Sequence, residues 1–156
     1  MNLISSLLDP SHVALDVEAT DKRALFERVA AMLEGASGLS RGQVVESLLA
    51  RERLGSTGLG QGIAIPHGRV KGLRNAVGAF LRVRAPVPFD APDSRPVSLA
   101  FVLLVPERAT DMHLQILSEL AQMFSDRELR RQLAVAPDAA SAQRLIVGWQ
   151  AHPPKS

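Results

Sequence analysis

The 156-residue sequence contains no cysteine and no tyrosine. Without cysteine there is no disulfide framework, no thiol nucleophile and no cysteine-ligated zinc or iron–sulfur centre. That composition fits a reducing compartment. Aromatic residues are scarce, at 4%, so few rings are available for nucleobases to stack on. No block of one charge sign occurs either. The chain carries 18 Lys+Arg against 16 Asp+Glu, a formal net charge of +2. Its densest basic spots, Arg82/Arg84 and Arg130/Arg131, sit among apolar or acidic neighbours. Nucleic acid is therefore not an expected partner. Long apolar runs are missing as well. The longest, Val97 to Val105, has nine residues and includes Ser98, against about 20 needed to span a bilayer. The opening Met1-Asn2-Leu3-Ile4-Ser5-Ser6 has no basic region or cleavage site of a signal peptide. No membrane insertion is expected, and the default location is the cytoplasm.

Hydrophobic residues make up 46% and charged residues 22% of the chain, an ordinary globular balance. The length points to a single domain, residues 1–156, able to bury roughly 70% of the surface its unfolded chain exposes. There is no internal repeat. The tail 151–156, with Pro153-Pro154, is expected to fray.

Weak alternation over 12–17 predicts a short strand. Thr20-Asp21 offers a cap for a helix whose stripe is Leu25, Val29 and Met32/Leu33, ending near Gly35. Ser40-Arg41-Gly42-Gln43 has capping-box spacing, and the helix behind it, with Val44 and Leu48 inward, should run to about Arg53. Gly55 to Gly62 holds four glycines in eight residues, which excludes a helix or an ordinary strand. Ile63-Ala64-Ile65 then reads as a buried strand that stops at Pro66-His67-Gly68. Strands are predicted over 76–83 and, centrally, over 97–105, with a proline-rich loop over 86–96 between them. Beyond Pro106 the period becomes helical. Leu114, Leu117, Leu120/Ala121 and Phe124 form a stripe on a helix capped near Thr110. Ser125-Asp126-Arg127-Glu128 starts a short helix to about Leu133. A last helix begins at about Asp138, with Ala142, Leu145, Ile146 and Trp149 inward. The pattern implies an α/β fold, a three-layer α/β/α sandwich around one small sheet.

The candidate chemical centre is the glycine loop with Pro66-His67-Gly68. Glycine amides are free to converge on an anion, and Ser56 and Thr57 add hydroxyl donors. His67, just past a short strand, has an accessible imidazole that can act as nucleophile or base. The loop is not a nucleotide fingerprint. G-x-x-x-x-G-K-[ST] is absent, and Gly58-Leu-Gly60-Gln-Gly62 lacks the G-x-G-x-x-G spacing. His113 lies in the first turn of a predicted helix, whose dipole disfavours protonation. Arg51 ends another helix six positions before Thr57, and a guanidinium matches phosphate oxygens well. The bland readings are a satisfied turn histidine at His67, a partly buried helix histidine at His113, solvated cations at Arg51 and Arg53, and local pairing at Glu52. Two further functions stand open: a binding module without transfer, and a metal-dependent hydrolase using His67, His113 and Asp111. The spacing of the latter three matches no strong metal motif. His12 and His152 look incidental.

The string Arg51-Glu52-Arg53-Leu54-Gly55-Ser56-Thr57-Gly58, continued by Gly62-Ile63-Ala64-Ile65-Pro66-His67-Gly68, resembles the enzyme IIA domains of the bacterial phosphotransferase system, fructose/mannitol class. The nearest branch is the nitrogen-regulatory enzyme IIA. Phe89-Asp90-Ala91-Pro92-Asp93-Ser94-Arg95-Pro96-Val97 and Leu103-Leu104-Val105-Pro106 with His113-Leu114 agree, and the likeness covers about residues 3 to 148. The resemblance implies a mixed sheet. It implies that His67 accepts a phosphoryl group, as a tele-phosphohistidine, from a histidine phosphocarrier protein. It places a second active-site histidine at His113, an active-site arginine at Arg51, and a phosphoryl-binding loop at Ser56, Thr57, Gly58 and Gly60. No metal or cofactor is implied. Output partners by the same likeness are sensor kinases or potassium-transport components. A sugar-transport enzyme IIA passing phosphate to a IIB domain is the alternative.

Overall fold

The computed structural model describes residues 2–108 and 111–150. The expected frayed tail, 151–156, and the expected cap Thr110 lie outside the described residues. After a 3-10 turn, Pro10–His12, the chain forms β1 (Val13–Val17), α1 (Lys22–Leu33) and α2 (Arg41–Arg53). Three short strands follow: β2 (Gly58–Gly60), β3 (Ile63–Ala64) and β4 (His67–Val70). Then come β5 (Val77–Val87), β6 (Val97–Pro106), α3 (Asp111–Ser125), α4 (Arg127–Ala134) and α5 (Ala139–Val147).

The strands form one mixed sheet in the order β1-β5-β6-β3-β2, with β4 also paired to β6. β5 and β6 are antiparallel, whereas β1 runs parallel to β5, and β3 and β4 run parallel to β6. β3 and β4 lie end to end along β6, as Ala64 pairs with Ala100 and His67 with Leu103. They are one line interrupted at Ile65-Pro66, because proline has no N–H to continue the ladder.

β6 is buried on both sides, as its unbroken apolar run predicts. Ala100, Val102 and Leu104 face a cluster with Leu25, Phe26 and Leu33 of α1 and Val44 and Leu48 of α2. Leu99, Phe101 and Leu103 face Ile116, Leu120 and Phe124 of α3, Leu129 and Leu133 of α4, and Ile146 of α5. The architecture is thus the expected α/β/α sandwich. Asp21, Ser40 and Asp138 are the N-caps of α1, α2 and α5, each accepting a bond from the backbone amide three residues on.

Several expectations need correction. The glycine segment does contain a strand, β2, held by pairing with β3 at the sheet edge. β5 continues four residues beyond Val83 through Pro86 to Val87, because Val87 still pairs with Val97 and is buried. On α3 the buried stripe is Ile116, Leu120, Met123 and Phe124. Leu114 is 65% exposed and Leu117 only partly buried, because the sheet meets a face rotated from the one that leucine spacing suggested. Ser125 belongs to α3, and Asp126 caps α4 by accepting from the Glu128 and Leu129 amides. Ile4 and Leu8, in a short N-terminal segment with no periodic pattern, are buried against the second cluster.

Candidate functional site

His67 lies past the end of β3, as the sequence suggested, and is also the first residue of β4, which the sequence did not suggest. It restarts the ladder after the break at Pro66, whose carbonyl still accepts from the Leu103 amide at 2.9 Å. The imidazole is half-buried. Its Nδ1 lies 2.9 Å from the Ile65 carbonyl oxygen. A carbonyl only accepts, so the proton resides on Nδ1 and Nε2 presents a lone pair. The Arg51 Nε–H donates to that Nε2 at 3.3 Å. Both partners therefore select the same tautomer.

Gly68 explains how α2 comes so near. A Cβ there would fall 2.1 Å from the Ser47 hydroxyl oxygen and 3.0 Å from the Ser47 carbonyl oxygen. The hydroxyl of Ser47 donates to the Arg69 carbonyl at 2.8 Å, tying helix to strand. Arg51 is one turn further along the same helix face. It is steadied by a bond from its Nη1 to the Gly55 carbonyl, 2.9 Å.

The protonation of His67 is disfavoured, and its pKa lies below the ordinary histidine value. Burial is the main cause. The Ile65 carbonyl opposes it, the Arg51 cation reinforces it, and the Glu52 carboxylate opposes it. The ring is uncharged at neutral pH.

Behind Arg51, the Glu52 side chain is only 5% exposed. Its Oε1 accepts from the Thr57 amide at 3.0 Å and from the Thr57 hydroxyl. Its Oε2 lies 2.8 Å from the Lys22 ammonium, at the start of α1. Lys22 also lies 3.5 Å from Asp90 and 5.2 Å from the centroid of the Phe89 ring. Phe89 is fully buried against Phe26, edge to face. The first turn of α1, the last turn of α2, the glycine segment and the β5–β6 loop therefore meet at one carboxylate.

This geometry alters the expected role of the loop. The Ser56 hydroxyl donates to the Phe89 carbonyl and accepts from the Gly58 amide. Thr57 is buried and bound to Glu52. Both hydroxyl hydrogens are thus committed within the protein and do not face a ligand. The glycines serve close packing against the β5–β6 loop. A Cβ on Gly58 would meet the Ala91 Cβ at 2.9 Å, and Gly60, at φ +90°, would carry one 3.1 Å from an Asp93 carboxylate oxygen. That carboxylate accepts from the Gln61 and Arg95 amides, which hold its pKa below the usual range.

His113, the third residue of α3, is half-buried. It lines a groove of about 930 Å³ with His12, Arg74, Asn75 and Met112, to which His67 does not contribute. His67 and Arg51 are in direct contact, whereas His113 lines a groove to which neither contributes. Glu52 was read only as a local pair, and Lys22 carried no signal: its pairing spans thirty residues of sequence. Among the described residues no group of three or more His, Cys, Asp or Glu could hold a metal ion, and no helix is long and apolar enough to cross a membrane.

Comparison with known proteins agrees with the resemblance in the site strings. Residues 6–148 match the model of the phosphoenolpyruvate-dependent sugar phosphotransferase system, EIIA 2. The chain belongs to this EIIA family. Among its EIIA relatives, a nitrogen regulatory protein of Pseudomonas aeruginosa is 40% identical over 148 residues, covering 94% of this chain and 96% of that one. One from Escherichia coli is 35% identical over 151 residues, covering 96% and 93%. The crystal structure of nitrogen regulatory protein IIA-Ntr from Neisseria meningitidis superposes with a TM-score of 0.88 at 52% identity, covering 93% of this chain and 99% of that one. Membership of the EIIA family makes the chain a phosphocarrier of the phosphotransferase system, most similar to its nitrogen-regulatory members.

Proposed function

We propose that the chain is a single enzyme IIA unit, working in the cytoplasm. It accepts a phosphoryl group on Nε2 of His67 from a phosphorylated histidine phosphocarrier protein, and it regulates partner proteins by its phosphorylation state. One observation carries this reading: the His67 ring is uncharged, its Nδ1–H is fixed on the Ile65 carbonyl, and its Nε2 lone pair stands beside a guanidinium.

The Nε2 electron pair attacks phosphorus in line with the donor nitrogen. The new N–P bond forms as the donor's N–P bond breaks, and that pair returns to the donor imidazole. The proton on Nδ1 stays where it is, shared with the Ile65 carbonyl, which stabilises the positive character the ring acquires. Arg51 moves its Nε–H from the lone pair to the incoming phosphoryl oxygens, whose charge must be neutralised during transfer. The docked donor excludes water. His113 approaches the same phosphoryl group from α3. Ser56, Thr57, Gly58 and Gly60 shape the loop beneath it, with the hydroxyls acting through the packing described above. The partners on the output side are sensor kinases or potassium-transport components. Phosphorylation adds about −2 charge at the His67 surface, enough to change docking without refolding.

The test is phosphoryl uptake from the phosphorylated carrier, followed by intact mass. One acid-labile phosphoryl group per chain is expected, and none on His67→Ala; normal uptake by that variant would sink the assignment. A second reading, a sugar-transport enzyme IIA, is favoured by 34% identity to the fructose-specific EIIABC component of Bacillus subtilis over 85% of this chain, although the chain covers only 21% of that protein. Transfer from the phosphorylated chain to an isolated fructose-type IIB domain distinguishes the two. Fast, complete transfer supports the sugar-transport reading, and its absence supports the regulatory one.

A further inference from the structure

A buried carboxylate close to a histidine is an unusual thing to find beside a ring that works only when uncharged. Glu52 is adjacent in sequence to Arg51, its side chain is almost wholly buried, and it ties the loop to α2 by accepting from both the amide and the hydroxyl of Thr57. Alone, its negative charge favours an imidazolium at His67 and competes for the Arg51 guanidinium. The only cation at hydrogen-bond distance from its second oxygen among the described residues is Lys22, 2.8 Å away. Lys22 is the first residue of α1 and lies outside the Arg51–Gly68 strings. A lysine ammonium in the first turn of a helix is set against the helix dipole, so its placement is not explained by α1 itself. Its side chain is 22% exposed, lies against the Phe89 ring, and reaches Asp90 at 3.5 Å as well.

We propose that Lys22 is a positioning residue for His67: its ammonium cancels the buried Glu52 charge, so that Glu52 can hold the loop to α2 while Arg51 stays on the imidazole and Nε2 stays unprotonated.

The charged groups around the ring are few. From α2 they are Arg51 and Glu52, and from α1 and the β5–β6 loop, Lys22 beside Glu52 and Asp90 beside Lys22. β4 adds the exposed Arg69, and β6, against which β4 is paired, carries no ionisable side chain. Only the Lys22–Glu52 pair is both shielded from water and joined to the loop below His67.

The consequence for transfer rests on His67 being the phosphoryl acceptor; the electrostatic claim does not. The experiment is therefore a titration of the His67 ring by NMR on the whole unphosphorylated chain. It compares wild type, Lys22→Met, Glu52→Gln, the double variant and Arg23→Met, a charge-removal control on the exposed side of α1. Lys22→Met is expected to raise the His67 midpoint, since Glu52 then acts uncompensated. Glu52→Gln should lower it, since the Lys22 charge is then uncompensated. The double variant, which removes both charges, should return the midpoint toward wild type, and Arg23→Met should leave it in place. In phosphoryl uptake, the acid limb of the rate profile should move to higher pH in Lys22→Met and return in the double variant. An unmoved midpoint in Lys22→Met, or a double variant displaced further than either single one, overturns the proposal. A packing role alone gives the latter result, because two packing losses do not cancel. Should His67→Ala still take up phosphate while the midpoints move as stated, the assignment of the acceptor fails and the Lys22–Glu52 charge balance at this ring stands.

Discussion

On the α1–α2 face of the sheet the polar groups converge: Lys22 and Thr57 meet at Glu52, and the neighbouring Arg51 meets the His67 lone pair. On the α3–α5 face they disperse to helix ends. Arg82 Nη1 donates to the carbonyls of Leu133, Ala134 and Ala136 at 3.0, 3.3 and 2.9 Å, closing the end of α4. The Trp149 indole donates to Asp126 at 2.9 Å, and the Asn2 amide to the Ile146 and Trp149 carbonyls. Between those anchors lies an apolar core in which Phe124 stacks 6.2 Å from Phe80 and sits 6.1 Å from Phe101. The first arrangement fixes the charge and orientation of one ring; the second fixes the fold. Loss of a member should therefore damage transfer on one face and stability on the other.

That contrast can be broken in four ways. The largest effect is expected from Phe124→Ala, which removes a buried ring touching two others and should cost about 3–5 kcal/mol of stability. Denaturant titration measures it, and phosphoryl uptake per folded molecule should be unchanged. Arg51→Ala should do the reverse. It removes the cation that contacts the His67 Nε2, proposed to meet the transferring group, and uptake should slow by about 10²–10³-fold. The loss of stability, read from thermal melts, should be smaller than that in Phe124→Ala. Arg82→Met removes a donor shared by three carbonyls around the end of α4, of which Leu133 keeps the Ala136 amide, and should cost about 1–3 kcal/mol, with uptake unaffected. A transfer defect in Arg82→Met would dissolve the division between the faces.

The smallest effect is a pH dependence of stability from His67 itself. Its folded pKa lies below the unfolded value of about 6.5. Below that value the unfolded chain binds a proton that the folded ring resists. The contribution of this group is therefore full above pH of about 6.5, declines as pH falls, and levels off below the folded pKa. His67→Gln should remove this component from a series of denaturant titrations, leaving the remainder of the profile intact.

Elements with a strong local period or a capping side chain were legible in the sequence. α1, α2 and α5 begin at the expected caps, and β6 is the expected central strand. Where the outcome depended on which face another layer approached, local pattern misled. Leu114 fits the stripe of α3 and is exposed, while Ile116 and Met123 are the buried residues. The candidate site divides in the same way. His67, Arg51 and the need for glycine were visible because residue type and spacing carry them. Glu52 and Lys22 as a buried pair were not, since an ion pair between helices leaves no periodic trace.

The sequence by itself determined the order of the helices and of the longer strands, the family and the presence of an imidazole at Pro66-His67-Gly68, since propensities, caps and motif strings act over a few residues. The tertiary structure alone decided which nitrogen of that ring bears the lone pair, and that Ser56 and Thr57 bond inward. It also decided that a lysine from α1 balances a carboxylate from α2. Those are distances between segments far apart along the chain, and only packing against the common sheet sets them.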